Sequence, residues 1–187
     1  MQALITSAAI AVPSAVGLGV MAPEVLGILY PAQSDEVAVC IAPLRWLMAG
    51  MVCLCVSYPL FSMLQAVGKP AAPLKIMLFG TAVKLLGNLL LIPLMGVSGA
   101  ALSTTLCYVG ILLLALRAYL KSSGLCLPFV PFGKTAYSGA MCGGAAFLAR
   151  SAAYRAGASP FTALIFSALA GAAVYIFLIR GLIGRLR

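Results

Sequence analysis

The sequence has few of the residues that enzymes use for chemistry. It has no histidine, and only three of its 187 residues are acidic, namely Glu24, Asp35 and Glu36. General acid–base catalysis needs a positioned proton carrier, and metal hydrolysis needs a cluster of His, Asp, Glu or Cys ligands. The six cysteines lie mostly within apolar runs and form no CxxC pair, so we interpret them as small apolar side chains. The sequence therefore argues against an enzyme, a metal site and a bound cofactor.

Charge is scarce as well. Only 8% of the residues are charged and 64% are hydrophobic, whereas a soluble domain carries about 25% charged residues. The net charge of +9 comes from basic residues scattered over helix ends and short loops. Nucleic-acid binding needs these residues clustered on one face, and no such cluster is present. The composition indicates a protein that lies within a lipid bilayer.

Six segments are long and apolar enough to cross a membrane as helices, which takes about 20 residues each. They are residues 3–21, 43–64, 73–94, 99–120, 135–152 and 161–179. The stretch PEVLGILYP is too short to span and predicts an interfacial or re-entrant turn. MGVSG predicts a tight turn, and the Pro/Gly-rich residues 121–134 predict a connection. Open sheet edges are not tolerated in lipid, so the predicted fold is an all-α polytopic membrane bundle of about six helices.

The basic residues predict the orientation of these helices. A signal peptide starts with positive charge, but no basic residue precedes the first apolar run. With a cytoplasmic N-terminus, most basic residues face inward and the three acidic ones face outward, as the positive-inside rule requires. Arg150 and Arg155 are the exceptions. We therefore expect both termini to be cytoplasmic.

The third predicted span has one polar face among its bulky apolar residues. Small and polar residues recur on one side at helical spacing: Gly80, Thr81, Lys84, Gly87, Asn88 and Leu91. A lysine at mid-bilayer costs about 3 kcal/mol or more. We therefore expect this face to meet protein or water, with the bulky face toward lipid or neighbouring helices.

Three explanations could make Lys84 tolerable. Its side chain could stretch to the headgroups, but about 14 Å of helix separates it from either end. It could pair with a carboxylate, but all three acids are expected at the outer surface. A hydrated cavity or an anionic ligand is the explanation we favour.

Two polar residues of the second span are weaker candidates for ligand contact. Arg45 lies near the predicted outer end, beside Trp46, where arginine and tryptophan also commonly anchor a helix at the interface. Gln65 lies at the inner end. In the fifth span, Gly139 and Gly143 form a GxxxG row, which predicts close helix packing.

Four stretches of the sequence resemble a known superfamily: VPSAVGLGVMAPEVLGILYP, APLRWLMAG, LFSMLQAVGKP and AVKLLGNLLLIPLMGVSGAALSTTLCYV. They are similar to the C-terminal half of the multidrug/oligosaccharidyl-lipid/polysaccharide exporters, and within these to the stage V sporulation protein B type of polysaccharide biosynthesis protein. The resemblance implies a fold of twelve to fourteen helices in two lobes around a cavity. It also implies flipping of a lipid-linked oligosaccharide or peptidoglycan precursor across the bacterial cytoplasmic membrane.

The resemblance also implies site residues and partners. Lys84 and Asn88 match the superfamily's K…N positions on this helix, Arg45 its LR position, and Gln65 its LQ..GK stretch. The resulting substrate-binding set is Lys84, Asn88, Thr81, Arg45 and Gln65. Its partners are membrane lipid and a polyprenyl-pyrophosphate-linked saccharide, whose pyrophosphate would meet Lys84 and Asn88.

The resemblance divides the chain in two. Residues 1–121 correspond to helices of the second lobe, and residues 122–187 add two further membrane helices. We therefore expect a fragment that needs a first lobe or a second chain. Two alternatives stay open, namely a packing or assembly module without transport of its own and a cation-coupled drug exporter. The latter usually needs a membrane-embedded carboxylate, and the sequence suggests none.

Overall fold

A computed structural model describes residues 2–31, 34–123, 129–155 and 160–183. These ranges contain seven helices and no strand, which confirms the all-α membrane bundle. The helices are α1 Gln2–Val20, α2 Ala22–Leu29, α3 Ser34–Ala66, α4 Ala71–Met95, α5 Val97–Ser123, α6 Phe129–Arg155 and α7 Pro160–Ile183.

Each of the six long helices overlaps one of the six predicted spans. Four of them, α1, α3, α4 and α5, are long and apolar enough to cross a membrane by length and composition. Helix α6 is rich in glycine, alanine and serine, and in α7 the described apolar stretch is residues 164–175, shorter than a span needs. Membrane crossing by α6 and α7 stays a prediction.

Three boundaries differ from those predicted. Helix α3 begins at Ser34 rather than at residue 43, and its 33 residues extend about 50 Å, beyond a hydrocarbon core of about 30 Å. The predicted interfacial turn is the short helix α2. The prediction of a connection over residues 121–134 is wrong at both ends, because α5 continues to Ser123 and α6 begins at Phe129. Pro131 is compatible with this start, since first-turn N–H groups have no helical partner.

Two glycines with positive φ end helices. Gly96, at φ 56°, separates α4 from α5 and confirms the predicted tight turn. Gly68, at φ 79°, follows α3. Its N–H donates to Gln65 O at 3.0 Å, and the Lys69 N–H donates to Leu64 O at 3.1 Å. This is the Schellman pattern of helix termination, so the LQ..GK stretch has a structural role in ending α3.

The hydrophobic core lies between α3 and α5, where Leu60, Leu64, Ile111 and Ala115 are buried. Leu4 of α1 closes one side of this core, and α4 packs on α5. Helices α6 and α7 pack on each other and on the opposite side of α1. Helix α1 therefore lies between an α3–α5 group and an α6–α7 pair.

Candidate functional site

The polar face of α4 lies against α5 because it carries glycines where the two helices approach closely. A Cβ added to Gly80 would lie 2.6 Å from Ile111 Cδ1, and one added to Gly87 would lie 2.5 Å from Ser103 Oγ. Neither position has room for a larger side chain. Small residues at such a contact let the backbones of two membrane helices approach each other closely.

Two hydrogen bonds hold this contact together. Ser103 Oγ donates to the backbone oxygen of Lys84 at 3.0 Å, and the Cys107 thiol donates to Gly80 O at 3.0 Å. Both donors come from α5 and both acceptors from α4. The backbone of α4 is therefore fixed at Lys84.

The Lys84 side chain is half-buried near the middle of α4. The only salt bridge among the described residues joins two other side chains, so no described carboxylate pairs with Lys84. Asn88 follows one helical turn later and is also half-buried. Its Oδ1 is buried and lacks a hydrogen-bond partner within the described ranges. A cation and an unsatisfied amide oxygen thus lie one helical turn apart near the middle of α4.

The predicted stripe is largely shielded by protein. Five of its six members are buried or half-buried: Gly80, Lys84, Gly87, Asn88 and Leu91. Thr81 is exposed, and its hydroxyl donates to Met77 O at 3.0 Å, as an isolated helical threonine does. The bulky residues on the other face, such as Leu85 and Leu89, are exposed. The helical spacing therefore separated the two faces correctly except at Thr81.

Arg45 lies on the surface of α3 and reaches the end of α1. Its Nε donates to Gly19 O at 3.2 Å. It also lines an open groove of about 500 Å³ on the α3 surface, beside the exposed Trp46. The backbone of Trp46 is fixed from α5, because Thr105 Oγ1 donates to its oxygen at 2.7 Å.

Gln65 lies elsewhere, in an open groove of about 700 Å³ between α1, α3 and α4 that Tyr58 and Ser62 also line. Arg45 and Gln65 are separated by about 30 Å along α3, at 1.5 Å per residue. Lys84 and Asn88 therefore lie one helical turn apart on α4, whereas Arg45 lies about a third of the way along α3 and Gln65 lies at its C-terminal end.

Sequence reasoning missed an ion pair. Glu24 was expected at the outer surface, but it is only 4% exposed, and Arg150 Nε lies 2.5 Å from its Oε1. Arg150 also donates from Nη1 to Val20 O at 3.2 Å. These residues are more than a hundred positions apart, so no local spacing could reveal the pair. Both residues are predicted from the charge distribution to lie on the same side of the membrane.

The predicted GxxxG row does form a packing surface. A Cβ added to Gly139 would overlap Val12 of α1, and one added to Gly143 would overlap Val16. A cavity of about 380 Å³ lies nearby between α1, α6 and α7, with Tyr175 on its wall. No group of three metal-ligating side chains occurs in the described segments.

The family comparison covers almost the whole chain. A family model described as lipid II flippase MurJ matches residues 1–182. The match includes α6 and almost all of α7, which lie outside the four stretches that carry the resemblance. No curated protein and no solved structure matches the chain.

Proposed function

The chain belongs to the lipid II flippase MurJ family, and from this membership we propose that it forms one helical lobe of a flippase. The proposed cargo is a lipid-linked peptidoglycan precursor or oligosaccharide, and the membrane is the bacterial cytoplasmic membrane. The narrower assignment to the stage V sporulation protein B type stays a prediction from the resemblance.

The observation that carries the proposal is the pairing of Lys84 with Asn88. Both lie on one face of α4, half-buried against α5, and Asn88 Oδ1 lacks a partner in the described part of the chain. Polar side chains at membrane depth are costly and usually mark a substrate or ion pathway. The pair is therefore better explained by a ligand than by packing.

A diphosphate is the group that this pair suits best. The Lys84 ammonium supplies charge-assisted hydrogen bonds to phosphate oxygens, and the Asn88 amide supplies two further donors. A diphosphate also supplies the negative charge that no described carboxylate gives Lys84. Binding near the bilayer midplane is where transporters that alternate access commonly hold their substrate.

The other three predicted contacts, Arg45, Gln65 and Thr81, lie outside the Lys84–Asn88 pair. Arg45 and Gln65 lie about 30 Å apart along α3, each in an open groove. We place them where the headgroup enters or leaves the membrane, and Thr81 at the exposed edge of the Lys84 face. A second lobe belongs to the proposal, because α4 packs on α5 and to a lesser extent on α3, which leaves much of its surface uncovered.

Binding in nanodiscs tests the proposal. A fluorescent polyprenyl-diphosphate saccharide is titrated against the chain and against Lys84→Met. Losing one charge-assisted hydrogen bond costs about 1.5–3 kcal/mol, so we expect affinity to fall about 10- to 100-fold. Lys75→Met is the matched control, because Lys75 is an exposed lysine in the first turns of the same helix. Equal loss in both variants, or no loss in Lys84→Met, would contradict the proposal.

The two alternatives differ in what they require. A cation-coupled exporter needs an available embedded carboxylate, and the buried Glu24 is already engaged by Arg150. An assembly module without transport would bind no lipid-linked saccharide, so the same titration separates it from the proposed function.

A further inference from the structure

Helices α6 and α7 are joined to the rest of the bundle through α1 and α2. Within the described ranges they contact these two helices and do not reach α3, α4 or α5. The α3–α5 group, which includes the Lys84 face, likewise meets α1 and α2. Contacts between the two groups therefore run through α1 and α2, and one of these places is where α1 ends and α2 begins.

That place, which we term the α1–α2 corner (residues 19–24), receives an arginine from each group. Arg45 of α3 donates to Gly19 O at 3.2 Å, and Arg150 of α6 donates to Val20 O at 3.2 Å. The last carbonyls of a helix have no partner within it and carry partial negative charge. The two guanidinium groups thus satisfy neighbouring carbonyls from opposite sides.

Arg150 differs from Arg45 in having a second, buried partner. Its Nε contacts the carboxylate of Glu24, which lies in the first turn of α2 and is 4% exposed. One guanidinium therefore ties α6 to the end of α1 and to the start of α2. A buried ion pair contributes little to stability compared with apolar packing, but it can fix one arrangement of the elements that it joins.

We propose that Glu24 and Arg150 are positioning residues that lock the α6–α7 pair onto the α1–α2 corner, so that α6–α7 moves together with α1. The inference goes beyond the proposed function and does not depend on the Lys84 site. It assigns the two residues a role in holding one helix pair in place, with no contact to the transported lipid.

A disulfide reporter can measure this docking directly. A Cβ added to Gly143 of α6 would lie 3.7 Å from Val16 Cβ of α1, within the range of about 3.5–4.5 Å that a disulfide needs. Val16→Cys also removes the γ-methyl that obstructs Gly143. The reporter is Val16→Cys with Gly143→Cys in the full chain, with the six native cysteines replaced by alanine or serine.

The perturbation is Arg150→Gln in this reporter chain in nanodiscs. Arg150→Gln removes the ion pair that joins α6 to α2, so we expect disulfide formation to slow on the order of tenfold. Arg155→Gln is the matched control, because Arg155 is an exposed arginine in the last turn of the same helix. Helix content by circular dichroism should stay unchanged, which separates undocking from unfolding.

A second variant keeps the test decisive if Arg150→Gln folds poorly. Glu24→Gln is nearly isosteric and leaves the Arg150 bond to Val20 O in place. If the Glu24–Arg150 pair holds α6 in place, Glu24→Gln should also slow disulfide formation. If Arg150 only caps the end of α1, Glu24→Gln should form the disulfide at the rate of the unsubstituted reporter chain. Parent-like rates in either folded variant, or equal slowing by Arg155→Gln, would overturn the inference.

The diphosphate titration separates this inference from the proposed function. We expect Arg150→Gln to slow the disulfide and to leave the affinity of the Lys84 face within about twofold, since side chains without shared partners act nearly independently. Lys84→Met should do the reverse. If the disulfide result fails, the proposed diphosphate site is unaffected, and if the titration fails, the role of Glu24 and Arg150 is unaffected.

Discussion

Two adjacent glycines of α6 should respond oppositely to the same substitution. Gly143 faces α1, where an added Cβ would overlap Val16 Cγ1, whereas Gly144 has nothing within 4 Å. Valine has one strongly preferred rotamer in a helix, so its γ-methyl cannot swing aside cheaply. Gly143→Ala must therefore push α6 and α1 apart, and Gly144→Ala meets open space.

The magnitude follows from comparing the two variants. Each gains about 1 kcal/mol of helix propensity relative to glycine, and this gain cancels in the comparison. Overpacking a well-fitted contact costs about 1–3 kcal/mol. Gly143→Ala should thus be about 1–3 kcal/mol less stable than Gly144→Ala, measured by reversible unfolding in mixed micelles with helix content as the signal.

Val16→Ala supplies the internal check. It removes both γ-methyl groups, so the double variant Val16→Ala with Gly143→Ala should recover part of the loss. A double-mutant cycle should then give a favourable coupling of about 1 kcal/mol or more, as expected for residues in contact. Equal stability of Gly143→Ala and Gly144→Ala would refute the packing of α6 on α1 at this position.

Two further substitutions test backbone geometry and interhelical hydrogen bonding. Gly68→Ala should lower the free energy of unfolding by about 1–2 kcal/mol, since an L-residue at φ 79° is strained. Gly27→Ala is the control and should not lower it, because an added Cβ there meets open space. An unchanged stability of Gly68→Ala would argue against this termination of α3. Thr105→Val should cost about 1 kcal/mol because it removes the bond to Trp46 O. Thr104→Val loses only a bond within its own helix, so a cost as large as that of Thr105→Val in the same unfolding assay would contradict the reasoning.

The fold was largely predictable because the membrane imposes simple rules. Apolar length alone located the six long helices, and the period of 3.6 residues separated the two faces of α4. The same spacing identified Gly139 and Gly143 as a packing row. It could not identify the partner, because Val12 and Val16 belong to a helix more than a hundred residues earlier.

Boundaries near polar or proline-containing segments were harder to predict. The segment 34–43 contains two acidic residues and a proline, so the sequence predicts that the span begins only at its end. The segment is nevertheless helical and continuous with α3. The residues that begin α6 read as a loop because of Pro131 and Gly133. Hydropathy measures suitability for lipid, whereas the helix continues past the lipid wherever its backbone can still form hydrogen bonds.

The two half-buried charges that matter most, those of Arg150 and Lys84, differ in what surrounds them. Arg150 of α6 pairs with the Glu24 carboxylate of α2 and also donates to Val20 O of α1. The fold itself therefore compensates its charge. Lys84 lies at mid-helix with no described carboxylate beside it, although its backbone is fixed by Ser103. Because an ammonium at that depth needs compensation, the missing negative charge must come from water, another polypeptide or a ligand. In the function proposed above, a diphosphate supplies that charge only while it is bound to Lys84, and the charge is uncompensated again once the diphosphate leaves.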